Sequence, residues 1–429
     1  MATVRAFRGL RFDPAVAGRL DACIAPPYDV IGPEQHRRLL ARSPHNIAHV
    51  DLPPERAGDA AGAKYARAAS CYRAWRAEGA LRRDPAPALY LTESDFTTPD
   101  GTPRTRRGLF AAVGLVPFAE GVVLPHERTL AGPKADRLAL MEATAAALSP
   151  IFALYRDPEG DLARLLDAAF ARPPDASVTD PDGLAHRLWV VADPALAAAV
   201  SAAFAERRLY IADGHHRYET ALAYRAAHAD QPAAGFVPMT LTALEDPGIV
   251  VLPTHRVVRG ATPLPLDALA GRLAGRWRAA PADGALPALL AGLAAAGRRG
   301  PAFLAAAREA GRLRLLRLEW ADPATLPGRS PRNRLDVTLL EQEVLVGVFQ
   351  MSAESIARQE RLAYVKDAAE ALHLVESGEA AHAFLLNGTR PAEVLAVAEA
   401  GETMPQKSTF FYPKLPTGLV LLPLDEALA

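Results

Sequence analysis

The densest run of chemically capable side chains is Asp213-Gly214-His215-His216-Arg217. A carboxylate, two imidazoles and a guanidinium follow the apolar tetrad Leu209-Tyr-Ile-Ala212 and precede a stretch from Tyr218 to about His228 without Gly or Pro. The tetrad reads as a short buried strand, Asp213-Gly214 as a turn, and the stretch from Tyr218 as a helix. At such a junction backbone N–H groups point outward and the helix dipole favours an anion. His215, His216 and Arg217 add up to three donors, and Gly214, lacking a Cβ, lets a ligand approach the backbone. In the plainer reading Asp213 caps the helix and the histidines are solvated. The five residues together, directly after a strand, favour a functional site.

Three more stretches concentrate such residues. Val123-Leu-Pro-His-Glu-Arg-Thr129 and Gly132-Pro-Lys-Ala-Asp-Arg137 supply His126 or Glu127 as a base, with His126, Lys134 and Arg137 as phosphate partners. A charged surface loop is the alternative there. In Ala25-Pro-Pro-Tyr-Asp-Val-Ile31 two prolines stiffen the backbone, which either presents the Asp29 carboxylate on a rigid scaffold or is a rigid loop leading to the next helix. Gly401 to Ser408 approaches the Gly-x-x-x-x-Gly-Lys-Ser phosphate loop, but Gln406 replaces the second glycine and Thr-Phe-Phe-Tyr-Pro cannot open a long helix. Lys407, Ser408 and Lys414 are therefore expected only to reach a phosphate from a loop. His215 and His216 stand four and three residues before Glu219, so one helical turn offers a His-plus-carboxylate metal pair. His126-Glu127 lacks the second histidine of a zinc-protease helix.

The elements that must position these groups alternate. Strands are expected at 4–12, 46–52, 88–96, 107–115, 149–155, 185–191, 209–212, 237–244 and 249–256. Helices are expected near 33, at 61–79, 136–148, 161–170 and 193–206, and from Tyr218. This alternation gives a mixed α/β fold. Residues 258–325, rich in Ala, Leu, Gly and Arg, are expected as a small insert or second domain with a hairpin around Glu309-Ala-Gly311. A proline-rich linker at 323–331 leads to a C-terminal segment, 326–429, that closes on the first domain, 1–257. The chain has 429 residues, half of them hydrophobic, and a net charge of −1, which fits a globular protein and argues against a general nucleic-acid binder. Two cysteines make no disulfide framework. The first ten residues lack the apolar core of a secretory signal, and no apolar run is long enough for a membrane span, so a cytoplasmic location is expected.

Ala25-Pro-Pro-Tyr-Asp-Val-Ile31, Pro125-His-Glu127, Ser149-Pro150, Asp213-Gly-His-His-Arg-Tyr-Glu-Thr-Ala221, Pro253-Thr-His-Arg256 and Met404-Pro-Gln-Lys-Ser-Thr409, in this order, resemble a bacterial and archaeal family known as domain of unknown function 1015. The strand, the Asp-Gly-His-His-Arg loop and the helix also resemble the signature loop of the ParB and sulfiredoxin superfamily, and most closely its free serine kinases. That resemblance implies a ParB/sulfiredoxin-like core, with Asp213, Gly214, His215, His216 and Arg217 at nucleotide phosphates and a separate carboxylate as base. Glu127 and Asp29 are the candidates for the base. Sulfiredoxin chemistry needs a reactive cysteine, and neither Cys23 nor Cys71 lies near the loop in sequence.

The expected function is therefore a phosphotransferase, or a phosphomonoester hydrolase, acting on a small hydroxyl metabolite. Serine or phosphoserine is the favoured partner, and ATP or ADP the phosphate donor or acceptor. Asp213 and His216 are expected in catalysis, with Mg²⁺ held by Asp213 and a nearby carboxylate such as Glu219. Two alternatives stand beside it: a metal-dependent hydrolase using His215, His216 and Glu219, and a non-catalytic nucleotide-binding regulator. The oligomeric state is not legible.

Overall fold

Strand alternation and helical apolar stripes organise the chain around two large sheets. The computed structural model describes residues 1–129, 131–180, 182–260, 262–326 and 330–428. Contacts group the chain into two units. The first comprises Met1–Pro125, Thr129–Ile249 and Pro413–Ala429, the second His126–Arg128 and Val250–Tyr412.

In the first unit nine strands form one mixed sheet: β1 (Val4–Arg5), β2 (Leu89–Thr97), β3 (Pro103–Gly114), β4 (Val123–Leu124), β5 (Ile151–Tyr155), β6 (Ala176–Thr179), β7 (Ala185–Val191), β8 (Leu209–Asp213) and β9 (Phe236–Ala243). Their order is β4-β8-β5-β9-β3-β2-β7-β6, with β1 paired to β3. β8 runs parallel to β4 and antiparallel to β5, and β9 runs parallel to β5. Parallel neighbours need crossovers. α1 (Ala131–Thr144) follows β4, α2 (Asp161–Phe170) follows β5, α3 (Pro194–Phe204) follows β7 and α4 (His215–Ala227) follows β8. Leu109, Ala111, Val113, Ile151, Ala153, Ile211, Met239 and Leu241 form a core with Leu162 and Leu166 of α2, Val200 and Phe204 of α3, and Tyr218 and Ala221 of α4.

The alternate positions build the other face. Across it the register joins Asp213 to Phe152, Phe152 to Thr240, and Thr240 to Phe110. Strict alternation would turn Asp213 to the same face as Ile211, into the apolar core. The pairing of β8 with β5 is irregular between these two residues, a bulge that turns Asp213 to the face of Phe152.

In the second unit an antiparallel six-stranded sheet runs in the order β11-β13-β12-β15-β10-β14. The strands are β10 (His255–Val258), β11 (Trp277–Pro281), β12 (Ala302–Glu309), β13 (Arg312–Trp320), β14 (Leu362–Val365) and β15 (His382–Leu386). Its helices include α5 (Leu266–Leu273), α6 (Leu286–Gly297), α7 (Ala368–Glu376) and α8 (Pro391–Glu399). Leu289 and Leu293 of α6 and Leu372 and Val375 of α7 pack with Val257, Leu304, Ala306 and Leu385 of the sheet.

Several elements differ from expectation. Segments 258–325 and 326–429 share this one sheet through the pairing of β12 with β15, and Pro413–Ala429 groups with the first unit. Residues 46–52 are not a strand. Asn46 Oδ1 accepts the N–H of Ala48 at 3.0 Å, a local turn that leads into the helical turn over Ala48–Asp51. α4 begins at His215 rather than Tyr218, because Gly214 takes the left-handed φ of 99° as its N-cap. α1 begins at Ala131 and ends at Thr144, ahead of the expected 136–148. Of the expected linker at 323–331, residues 327–329 lie outside the described residues. Among the described residues no helix is long and apolar enough to cross a membrane.

Candidate active site

The first unit assembles a charged cluster where β8 meets α4. Gly214 is required there twice over. Its φ of 99° is the glycine region, and a Cβ would stand 3.0 Å from Arg217 Nε. Arg217 therefore folds back over the turn, donating from Nη2 to Asp213 Oδ2 at 2.6 Å and from Nη1 to the carbonyl of Pro150. Lys414 Nζ donates to Asp213 Oδ1 at 2.5 Å. Burial alone would raise the Asp213 pKa. Lys414 and Arg217 outweigh it and hold the carboxyl well below the usual carboxylate range. Gly214 has no side chain to cap α4, so the N–H groups of the first turn, which the sequence places at His215, His216 and Arg217, stay at the anion-favouring end of the helix.

Arg217 also faces further charged and polar groups. Burial would lower its pKa, but Asp213, Asp29, Tyr28 and Asp51 raise it. Tyr28 and Asp29 stand on the turn Tyr28–Val30, directly after Pro26 and Pro27. Asp51 is buried and accepts from Ser149 Oγ at 3.0 Å, and Ser149 meets Thr417 Oγ1 at 2.9 Å. Arg137 donates to the Asp51 carbonyl at 2.6 Å and to Asp136 at 2.6 Å, with its guanidinium 4.1 Å from the Tyr28 ring centroid. Burial raises the Tyr28 hydroxyl to about 12, so it stays a neutral donor. Tyr28, Asp51, Arg137, Ser149, Arg217 and Thr220 line a cavity of about 40 Å³. That is room for water, not for a metabolite.

Arg106 is the residue that sequence reasoning missed. It lies on β3, is buried, and crosses the sheet face to stand 4.8 Å from the Phe152 ring centroid. Its Nη2 has no hydrogen-bond partner among the described residues. Burial lowers its pKa to about 10, opposed by Asp246 and Asp213, so it remains a cation. The available signal was position: Arg106 is on the buried side of a strand whose neighbours Thr105 and Arg107 are exposed. Asp51 and Thr417 were also missed, and Ser149 was noted only as part of a family motif, with no role in the site.

The predicted residues thus fall into two groups. Asp29, Arg137, Asp213, Gly214, His215 and Arg217 lie around the β8–α4 turn, with His215 acting electrostatically on Asp213. His216 shares that turn of helix. Lys134 and Glu219, also in the first unit, pair with each other at 2.5 Å, and Thr129 donates to the same Glu219 oxygen at 2.6 Å. His126, Glu127, Lys407 and Ser408 belong to the second unit. There buried His126 meets Thr409 Oγ1 at 3.0 Å, Glu127 accepts the N–H of Lys407 at 3.4 Å, and Ser408 donates to the Pro405 carbonyl at 2.5 Å. Among the described residues no three His, Cys, Asp or Glu side chains are grouped to hold a metal ion.

Fold and site together define a mixed α/β protein with a cation-flanked aspartate on a strand–helix turn. The chain belongs to the family described as "Protein of unknown function (DUF1015)", which matches residues 4–338. Among solved structures it is similar to a conserved hypothetical protein from Pyrococcus furiosus, at 14% identity and a TM-score of 0.36, covering 74% of this chain and 96% of that one. A free serine kinase in complex with AMP is 13% identical at a TM-score of 0.36, with 71% and 86% covered. SbnI with a C-terminal truncation, from Staphylococcus aureus, is 12% identical at 0.36, with 74% and 88% covered. Similarity at this level says nothing about the reaction of this chain. No curated protein matches it.

Proposed function

We propose that the first unit binds nucleotide phosphates at the N-terminus of α4 and transfers a phosphoryl group to or from the hydroxyl of a small metabolite. The observation that carries this is Asp213, pinned between Arg217 and Lys414 beside a helix end without a side-chain cap. Arg106, with an unsatisfied N–H on the same sheet face, adds a buried cation. Phosphoryl transfer needs positioning and charge neutralisation more than covalent chemistry. The acceptor hydroxyl attacks the terminal phosphorus, the bond to the leaving phosphate oxygen breaks, and the hydroxyl proton passes to a carboxylate. Asp29 is the exposed carboxylate of this cluster and takes that role. Asp213 orients Lys414 and Arg217, and His216 donates to a phosphate oxygen. Serine is the first acceptor to test, from the resemblance of the Asp-Gly-His-His-Arg loop to that of free serine kinases.

The side chains fit a magnesium ion that arrives on the nucleotide, not a cage supplied by the protein. Both Asp213 oxygens and one Glu219 oxygen are engaged by ammonium or guanidinium groups. Such an ion takes most of its ligands from phosphates and water. The same pairing of Glu219 with Lys134 removes support from a His–Glu metal hydrolase.

Phosphorus NMR with Mg²⁺ tests the reading. Phosphoserine is supplied alone, then with ADP or AMP, and serine with ATP or ADP. Transfer or phosphate release by the wild type, lost in an Asp213→Asn, His216→Ala variant, is expected. Unchanged spectra with saturable nucleotide binding would favour the non-catalytic regulator.

A further inference from the structure

The second unit holds a cavity of about 390 Å³, and every residue lining it belongs to that unit. This volume lies in the range of small-molecule sites, roughly 300–1,000 Å³. Four arginines line it, Arg298, Arg299, Arg334 and Arg390, against two carboxylates, Asp336 and Glu393. Even with both carboxylates ionised the lining keeps two positive charges, four minus two. Arg299 is held by Glu319 at 2.8 Å, and Arg390 stands 3.8 Å from Glu393. Arg298, which follows the C-terminal end of α6, forms no ion pair among the described residues.

The lining also holds a hydrogen-bonded pair. Asn387, directly after β15, donates from Nδ2 to Asp336 Oδ2 at 3.3 Å and to the Leu293 carbonyl at 3.4 Å. Among the described residues its carbonyl oxygen accepts no hydrogen bond. Two glycines permit this placement. A Cβ at Gly297 would stand 2.4 Å from Asn387 Nδ2, and one at Gly388 2.2 Å from the carbonyl oxygen of Val251. The Asp336 carboxyl and the Asn387 side-chain amide are thus joined in a lining that also holds four guanidinium groups. A ligand matching this lining carries anionic oxygens for the arginines and a polar head that exchanges hydrogen bonds with the Asp336–Asn387 pair.

We propose that this cavity binds a phosphorylated small molecule of nucleotide size, with its phosphate on the arginines and its head on Asp336 and Asn387. The site uses none of the residues of the proposed phosphotransfer site, and does not rest on that reading.

Hydrogen exchange read by mass spectrometry on the full chain tests it, with AMP and adenosine as probes. AMP is expected to protect segments 297–300, 334–337 and 387–390, and adenosine to protect them far less. Arg298→Glu, an exposed change that breaks no ion pair, is expected to raise the AMP concentration needed for that protection at least about tenfold. Any protection at 213–217 should be unchanged in this variant. Protection confined to 213–217, protection nowhere, equal protection by adenosine, or cavity protection indifferent to Arg298→Glu would each overturn the proposal. The first of these would leave the phosphotransfer site standing.

Discussion

Asp336→Asn should make the second unit more stable at neutral and alkaline pH. Burial, aided by Glu393 and opposed by Asn387, the Ala302 backbone and Arg390, raises the Asp336 carboxyl from its ordinary 3.8 to about 7. Between these two values the folded chain holds a proton that the unfolded chain has released. Folded stability from this group is therefore full below about pH 4, falls as pH rises, and levels off above about pH 7. At about 1.4 kcal/mol per pH unit the gap amounts to about 4 kcal/mol at most. Asparagine carries no such slope. The assay is urea unfolding at pH 4 to 8, with Trp75 and Trp189 replaced by Phe so that fluorescence reports Trp277 and Trp320 of the second unit. The variant should match the parent near pH 4 and exceed it by up to about 4 kcal/mol at pH 8. Equal slopes in both proteins would refute the burial argument.

Asp213→Asn should act with the opposite sign. The Asp213 pKa is depressed in the fold, so its contribution is present above the unfolded value and lost as pH falls. The variant should be less stable at pH 7, and the gap to the wild type should begin to narrow only as pH falls below about 4 and stay open at pH 3 in acid unfolding. Gly214→Ala forces a left-handed φ on a residue with a Cβ and pushes it against Arg217. A loss of about 1–3 kcal/mol in thermal unfolding is expected. Arg106→Met removes a buried cation with an unsatisfied N–H. Chemical denaturation should show a change within about 1 kcal/mol, while ADP affinity by calorimetry should fall about tenfold or more.

How much was legible follows from how local each signal is. The strand Leu209–Asp213, its turn and the following helix were readable because an apolar tetrad, a turn dipeptide and a breaker-free stretch are adjacent in sequence. The helix start was misplaced because Gly214 as an αL N-cap draws His215 to Arg217 into the first turn. That Asp213 escapes the core face depends on a bulge between Ile211 and Asp213, which alternation does not show. Residues 46–52 have the apolar spacing of a strand, but Asn46 bonds locally to Ala48 in a turn that leads into a helical one. The meeting of Asp51, Ser149 and Thr417 could not be found, since it spans 98 and 268 residues. Arg106 was hidden among the charges of Arg104 and Arg107, because burial of an arginine is set by the strands beside it. Likewise, the pairing of β12 with β15 joins segments that differ in composition.

The most direct test of the central claim is an amide-resolved NMR titration of isotopically labelled protein with ADP and Mg²⁺. Binding of phosphates at the N-terminus of α4 predicts that the amide signals of His215, His216 and Arg217 move downfield and saturate together, and that Asp213→Asn weakens the response. If these three amides stay in place at saturating ADP, the phosphates are held elsewhere and the phosphotransfer account of this site is contradicted.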